Sequence, residues 1–356
     1  MVRGWAQHPG DRHHGAHGDL VSRSLDVSVG ELLDFSQNIN PLGAPLGALE
    51  AARRALYEDS GRYPDLEYTR LREALAAYLG AGAEMVVPTN GGAEALFLAA
   101  RAAGKGGRAL VLEPTFSEYA AAARASGTEP VRWVARRREE RFGWDPTALD
   151  DLEGISVVFL CNPNNPTGDL LGRDEVLEVA ARVKNVGAVL VVDEAFADFV
   201  PKISVTAMVD TGLWVARSFT KFFAIPGLRL GCLVCDDAAR IQELQPSWPV
   251  NSVAAAAGIA AVEDRGFAEV SIAEVARLRE DLFTALDAIP GLQPFPAAAN
   301  FLLVRGPDGL PERLARRGVL VRGCGPFYGL GPEFFRVAVR SAEENGRLVA
   351  AIRGEL

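Results

Sequence analysis

Between residues 109 and 235 the chain repeats one pattern: a short apolar run without alternation, then a stretch long enough for a helix. The runs are 109–112, 155–160, 189–192, 213–216 and 232–235. Apolar and polar positions do not alternate within them. Each therefore predicts a strand buried on both faces, as in a mostly parallel sheet between helices. Apolar residues fall at helical spacing over 66–79, closed by Gly80, and helices are also expected over 95–103 and 173–184. This is the pattern of an α/β domain.

Beyond Pro246 the texture changes. A helix of small residues is expected over 252–262 and a long charged one over 268–289. Two strand-like runs follow, 300–305 and 334–339, separated by glycine-rich loops and a helix near 311–317. Such a segment predicts a smaller α+β domain. Residues 1 to about 40 show no sustained period and read as an irregular arm. The expected division is an arm over 1–46, a large domain over 47–245 and a small domain over 246–356.

Composition narrows the function classes. With 49% hydrophobic and 23% charged residues in 356, the chain is of ordinary globular type. Its net charge of -9 opposes nucleic acid as a partner. No apolar run reaches the roughly 18 residues of a membrane span, and the N-terminus lacks a signal-peptide stretch. No membrane partner is expected, and the cytoplasm is the default location. Cys161, Cys232, Cys235 and Cys324 are too sparse for a disulfide framework. Cys232 and Cys235 form a C-x-x-C inside an apolar run, where buried thiols are the better reading than a zinc site. All four histidines, His8, His13, His14 and His17, lie in the arm without the carboxylates or cysteines that would complete a metal site. No metal is expected, and the arm is read as a mobile or substrate-capping segment.

Candidate chemistry gathers after the apolar runs. Glu-Pro-Thr-Phe116 follows the first, Cys-Asn-Pro-Asn-Asn165-Pro-Thr-Gly the second, Asp193-Glu-Ala-Phe the third and Arg-Ser218-Phe-Thr-Lys221 the fourth. Ligands of open parallel sheets bind at the carboxyl ends of the strands. Taken singly, the asparagine–proline segment is a tight loop, Asp193 a helix cap and Lys221 a surface lysine. Their joint order at successive strand ends favours a site. Gly91-Gly92-Ala93 opens the helix over 95–103 with small residues, which leaves backbone N–H groups accessible to an anion.

Asn165-Pro-Thr-Gly168, Asp193-Glu-Ala195, Ser218-Phe-Thr-Lys221 and Gly227-Leu-Arg229-Leu-Gly231 resemble the motifs of fold-type-I pyridoxal-phosphate aminotransferases. The resemblance runs from Asp34 to the C-terminus, and Lys221 and Arg229 keep the family's spacing. It implies that fold, with pyridoxal 5'-phosphate as cofactor held as a Schiff base on Lys221. It further implies that Asp193 pairs with the pyridine nitrogen, that Asn165 bonds the ring hydroxyl oxygen and that Phe116 stacks on the ring, with Tyr119 as the alternative. Gly92, Ala93, Ser218 and Arg229 would hold the phosphate. Tyr63, in Arg-Tyr-Pro-Asp, would reach the cofactor of a second subunit, which implies a homodimer with shared active sites. Phe196 departs from many relatives, which carry a tyrosine there.

Within the family, the local resemblance is to the threonine-phosphate decarboxylases of cobalamin biosynthesis. His14-Gly15, Asp34-Phe-Ser-Gln-Asn38-Ile-Asn-Pro-Leu-Gly, Val-Arg322-Gly-Cys and Arg336-Val-Ala-Val-Arg-Ser carry it, and Phe196 fits that branch. It implies decarboxylation of L-threonine O-3-phosphate to (R)-1-amino-2-propanol O-2-phosphate and CO2. Arg322, Arg336, Asn165, His14, Gly15 and Asn38 would then take the substrate, with Arg340 as a further contact. Two anionic groups on one substrate need paired guanidinium forks. His17-Gly18 is a second His-Gly pair, but the distance to Asp34 favours His14. The rival within the family is histidinol-phosphate aminotransferase, which shares every cofactor motif. A cofactor-binding protein without catalysis is the rival of another class, and no DNA-binding segment accompanies these motifs to support it.

Overall fold

The computed structural model describes residues 18–104, 106–138, 141–143, 149 and 151–356. Its larger sheet contains β2 (Val86–Asn90), β3 (Arg108–Glu113), β4 (Glu129–Val134), β5 (Ile155–Cys161), β6 (Val189–Asp193), β7 (Leu213–Ser218) and β8 (Leu230–Val234). They lie in the order β2-β8-β7-β6-β5-β3-β4, and only β8 runs against its neighbours. The run over 232–235 is thus part of a strand that starts two residues and ends one residue earlier, and it is the reversed one.

Each strand divides its side chains between two cores, which is why the runs are continuously apolar. Val157, Phe159 and Val191 pack with α4 (Gly91–Ala103) and α5 (Glu118–Ala125) on one face. Val158, Leu160, Leu190 and Val192 pack with Val176 and Val183 of α6 (Arg173–Asn185) on the other. Period two and double burial together erase the polar positions.

A second, antiparallel sheet contains β9 (Gln293–Pro294), β10 (Phe301–Arg305), β12 (Arg322–Gly323) and β13 (Phe334–Ala338), in the order β9-β10-β13-β12. Two helices precede it. In α7 (Ser252–Glu263) Asn251 caps the first turn by accepting the Ala254 N–H at 2.8 Å. In α8 (Arg265–Asp287) Asp264 accepts from Phe267 at 2.9 Å. Each cap satisfies an N–H that no helix carbonyl can reach.

The segment before residue 40 is more ordered than an irregular arm. It holds a helix, α1 (Gly18–Leu25), and a two-residue strand, β1 (Leu33–Asp34), which pairs in parallel with β11 (Val319–Leu320). Phe35 extends this clamp: its N–H bonds Leu320 O at 2.7 Å and its carbonyl accepts Ala338 N–H at 2.9 Å. The Phe35 ring is fully buried with Leu278, Leu302, Phe335 and Val337. This segment therefore forms a small two-stranded sheet with β11 and is fastened to the second sheet through Phe35. Its isolated apolar positions, Leu33 and Phe35, gave no periodic signal because only two side chains face that core.

Truncating Phe35 to alanine should lower stability by about 3–5 kcal/mol, the range for a buried phenylalanine. Urea unfolding would register it as a lower midpoint at unchanged slope. A shift below about 1 kcal/mol would mean that the segment is not held by this core.

Candidate active site

Because β2 to β7 run the same way, Asn90, Glu113, Cys161, Asp193 and Ser218 all end at one edge of the sheet, where reversed β8 begins. Cys161 and Asp193 are register partners, as are Ser218 and Gly231. Residues far apart in the chain therefore meet there.

Asp193 is 6% exposed. Its Oδ1 accepts the Ala195 N–H at 2.9 Å and its Oδ2 accepts the Tyr119 hydroxyl at 2.8 Å. Burial pushes this carboxyl up from its ordinary value, while those two donors and the Lys221 charge pull it back. Lys221 Nζ lies 3.5 Å from Ser218 Oγ. Burial lowers the Lys221 ammonium, opposed by Asp193 and assisted by the charges of Arg229 and Arg336. A lowered ammonium supplies more free amine, the form that attacks a carbonyl.

Beside them two glycines let polar side chains come close to the start of α4. A Cβ on Gly91 would fall 2.6 Å from Arg229 Nη2, and one on Gly92 would fall 3.1 Å from Ser218 Cβ. Gly91, Gly92 and Ala93 form the first turn of α4, whose N–H groups have no helix carbonyl to bond. Helix dipole, guanidinium and hydroxyl thus surround a space suited to a phosphate. Amine, buried carboxylate and phosphate cradle together fit pyridoxal 5'-phosphate. Phe116 is half-buried, with its ring centroid 5.9 Å from that of Tyr119.

A second cationic group faces this edge from the smaller sheet. Arg322 and Arg336 are register partners on β12 and β13 and both are buried. Arg336 donates to Asn165 Oδ1 and, at 2.9 Å, to Ser36 O. Burial brings Arg336 down to about 10, with the Arg322 charge adding to the fall, so it stays cationic at neutral pH. Arg336 Nε and the buried Asn38 Oδ1 have no hydrogen-bond partner, an arrangement that favours a bound polar group. Asn40 joins the two regions. Its N–H donates to Lys221 O at 3.0 Å and its side-chain amide to Phe222 O at 2.8 Å.

Several expectations change. Tyr119 is no alternative ring cover, since it is fully buried behind Asp193 with its ring stacked on Phe159 at 5.4 Å. Arg340 does not point to a substrate: it pairs with Glu344 at 2.6 Å and donates to Asp34 O, so it fastens the N-terminal segment. Tyr63 is 76% exposed and stacks on Trp248 at 4.4 Å. Within its own chain it makes no part of this cluster. His14, Gly15 and His17 lie outside the described residues. The four cysteines are buried and unbridged, and among the described residues no metal-ligand cluster occurs.

Sequence reasoning missed Tyr119 as the partner of Asp193, Asn40 as a tie, and the buried pair of Glu194 with Arg217, at 2.6 Å on the opposite strand face. Glu194 follows Asp193 and Arg217 precedes Ser218, so strand alternation was the available signal.

The model of the family described as aminotransferase class I and II matches residues 30–352. The chain belongs to this family. It is 39% identical over 361 residues to the threonine-phosphate decarboxylase of Salmonella typhimurium, spanning 96% of this chain and 97% of that one. Among solved structures, it resembles L-threonine-O-3-phosphate decarboxylase from Porphyromonas gingivalis with a TM-score of 0.80 and 25% identity, covering 90% of this chain and 98% of that one. Histidinol-phosphate aminotransferase from Clostridium acetobutylicum superposes with a TM-score of 0.85 and 29% identity, covering 91% and 99%. Fold similarity is thus shared by both activities, whereas the full-length match at 39% is to a decarboxylase.

The lowered ammonium makes a kinetic prediction. Capture of pyridoxal phosphate by cofactor-free protein, followed by absorbance, should rise with pH through a midpoint below the ordinary lysine range. A midpoint at the ordinary value would contradict the desolvated amine.

Proposed function

We propose that the chain is a pyridoxal 5'-phosphate-dependent carboxy-lyase that converts L-threonine O-3-phosphate to (R)-1-amino-2-propanol O-2-phosphate and CO2, a step of cobalamin biosynthesis. The observation that carries this reading is the pair of buried, register-matched arginines, Arg322 and Arg336, beside a cofactor-type edge in a chain 39% identical to such a decarboxylase.

When bound, the cofactor draws electron density from the bonds at the substrate's α carbon. Lys221 holds it and afterwards serves as the nearest amine for moving a proton to or from that carbon. Asp193 shares a proton with the ring nitrogen: an environment that raises the carboxyl is offset once a positive ring faces it. Asn165 bonds the ring oxygen, Phe116 covers one ring face, and Gly92, Ala93, Ser218 and Arg229 take the phosphate.

Arg336 and Arg322 neutralise the two anions of the substrate, with Asn38 and, by the resemblance in sequence, His14 and Gly15 as further substrate contacts. Arg336 is tied at once to Asn165 and to Ser36 O, so its fork has a fixed direction. Fixed anion contacts decide which bond at the α carbon stands perpendicular to the ring. Carboxylate loss requires the bond to the carboxyl carbon there, whereas amino transfer requires the C–H bond. A preference of about 3 kcal/mol in that rotation gives roughly a hundredfold choice of reaction.

The proposed division is an arm over 1–46, a cofactor-binding domain over 47–245 and a small domain over 246–356. The proposed assembly is a homodimer in which Tyr63 reaches the partner's cofactor phosphate. Exposed Leu46, Leu49, Leu56, Tyr57 and Tyr63 on and after α2 (Leu46–Glu58) support a covered face there. No helix among the described residues is long and apolar enough to cross a membrane. The cytoplasm is the proposed location.

The deciding experiment incubates protein and cofactor with L-threonine O-3-phosphate and measures CO2. Release is expected, and Arg336→Ala should lower kcat/KM by about 100-fold or more, as expected for loss of a charged bidentate contact. No CO2, with amino transfer from histidinol phosphate to 2-oxoglutarate instead, would replace this reading by the aminotransferase.

A further inference from the structure

Tyr119 lies in the first turn of α5, where a buried aromatic would ordinarily serve only as core. Its phenol needs one hydrogen-bond partner, and many backbone carbonyls could supply it. Instead the O–H reaches Oδ2 of Asp193, a residue of another element, at 2.8 Å. The ring has no freedom to turn away. It stacks nearly parallel on Phe159 of β5, with an interplanar angle of 9°, and meets Phe116 edge-on at 83°. It is fully buried, so water does not compete for the hydroxyl.

We propose that Tyr119 is a positioning residue of the active site: its clamped phenol, opposite the Ala195 N–H, fixes the Asp193 carboxylate in the orientation in which it meets the cofactor's ring nitrogen. The Ala195 N–H holds Oδ1 and Tyr119 holds Oδ2, so the carboxylate cannot rotate without breaking a bond. The same ring also meets Phe116 edge-on, so one side chain contacts both Asp193 and the aromatic that would cover the cofactor ring. The inference rests on the cofactor proposed above and not on the choice of substrate.

The charge consequence has a definite sign. The groups facing Asp193 are Tyr119 from α5, Cys161 from β5 and Lys221 after β7, while neighbouring Glu194 is turned to Arg217. Tyr119 is held well above its ordinary value by burial, so it remains a neutral donor. Its hydrogen bond favours the ionised carboxylate. Without it, the shared proton moves from the ring nitrogen toward Asp193 and the ring loses positive charge. The Lys221-linked nitrogen then keeps its own proton to higher pH.

The test compares the unmodified chain with Tyr119→Phe, which removes one hydroxyl. Three quantities are read: cofactor affinity by absorbance titration, the pH midpoint of the visible band, and the unfolding temperature. We expect cofactor binding about 10- to 100-fold weaker, in line with loss of a hydrogen bond to a charged group, and a band midpoint moved to higher pH. In an Asp193→Asn background the same substitution should leave the midpoint unmoved, because the residue it acts through is already neutral. Lower unfolding temperature with unchanged affinity and midpoint would reduce Tyr119 to core and overturn the proposal. So would an equal midpoint shift in the Asp193→Asn background. If the unmodified chain binds no pyridoxal phosphate, the cofactor reading itself fails, a result distinct from a silent Tyr119→Phe. If Tyr119→Phe does not fold, Tyr119→His, whose ring can still donate, is expected to retain a near-native midpoint, and a shift as large as that of Asp193→Asn would overturn the proposal.

Discussion

The site depends on holding a carboxylate almost out of water at the end of a central strand. Such a group is costly to bury unless donors and a cation surround it. Asp193 has both, from Ala195, Tyr119 and the Lys221 amine. The carboxylate in turn opposes the desolvation of Lys221, and each makes the other's burial tolerable. The parallel sheet supplies this arrangement, because it brings several strand ends to one edge and seals both faces beneath them. On the opposite face of the same strand ends, Arg217 binds Glu194 and Asp198, so the strands that present Asp193 and Ser218 are locked together from behind.

The N-terminal segment gives the site its second wall. Residues 33–35 make backbone bonds with Gly318, Leu320 and Ala338 of the small domain, whereas Asn40 bonds the loop that carries Lys221. Arg336 and Arg340 both donate to carbonyls of this segment, at Ser36 and Asp34. One stretch of about eight residues therefore couples arginines of the small domain to the loop that carries Lys221. Such coupling matters for any site that orients a small ligand, since the value of an oriented contact falls steeply with small misplacements.

Much of this was legible in the sequence, for identifiable reasons. Doubly buried strands announce themselves as unbroken apolar runs, and polar residues just past them mark the functional edge. The pair Gly91-Gly92 was legible because a helix entry rarely needs two residues without side chains; Arg229 and Ser218 occupy the space that would otherwise be filled. Tyr119 was not legible in its actual role, since its partner is 74 residues away and an aromatic near a presumed cofactor suggests stacking first. Arg340 was misread because two arginines four residues apart near a strand look equivalent. The strand ends at Ala338, and Glu344 of the following helix, α10 (Ala342–Arg353), captures the second. The arm's order escaped notice because it comes from backbone pairing with β11, which leaves no side-chain period.

The central claim is covalent: one particular amine meets the cofactor's aldehyde. The chain has four lysines, Lys105, Lys184, Lys202 and Lys221, so the assignment is unambiguous. Borohydride reduction of the yellow protein followed by peptide mass spectrometry measures it directly. The account predicts a single phosphopyridoxyl group on Lys221; the group on any other lysine, or on none, would contradict it.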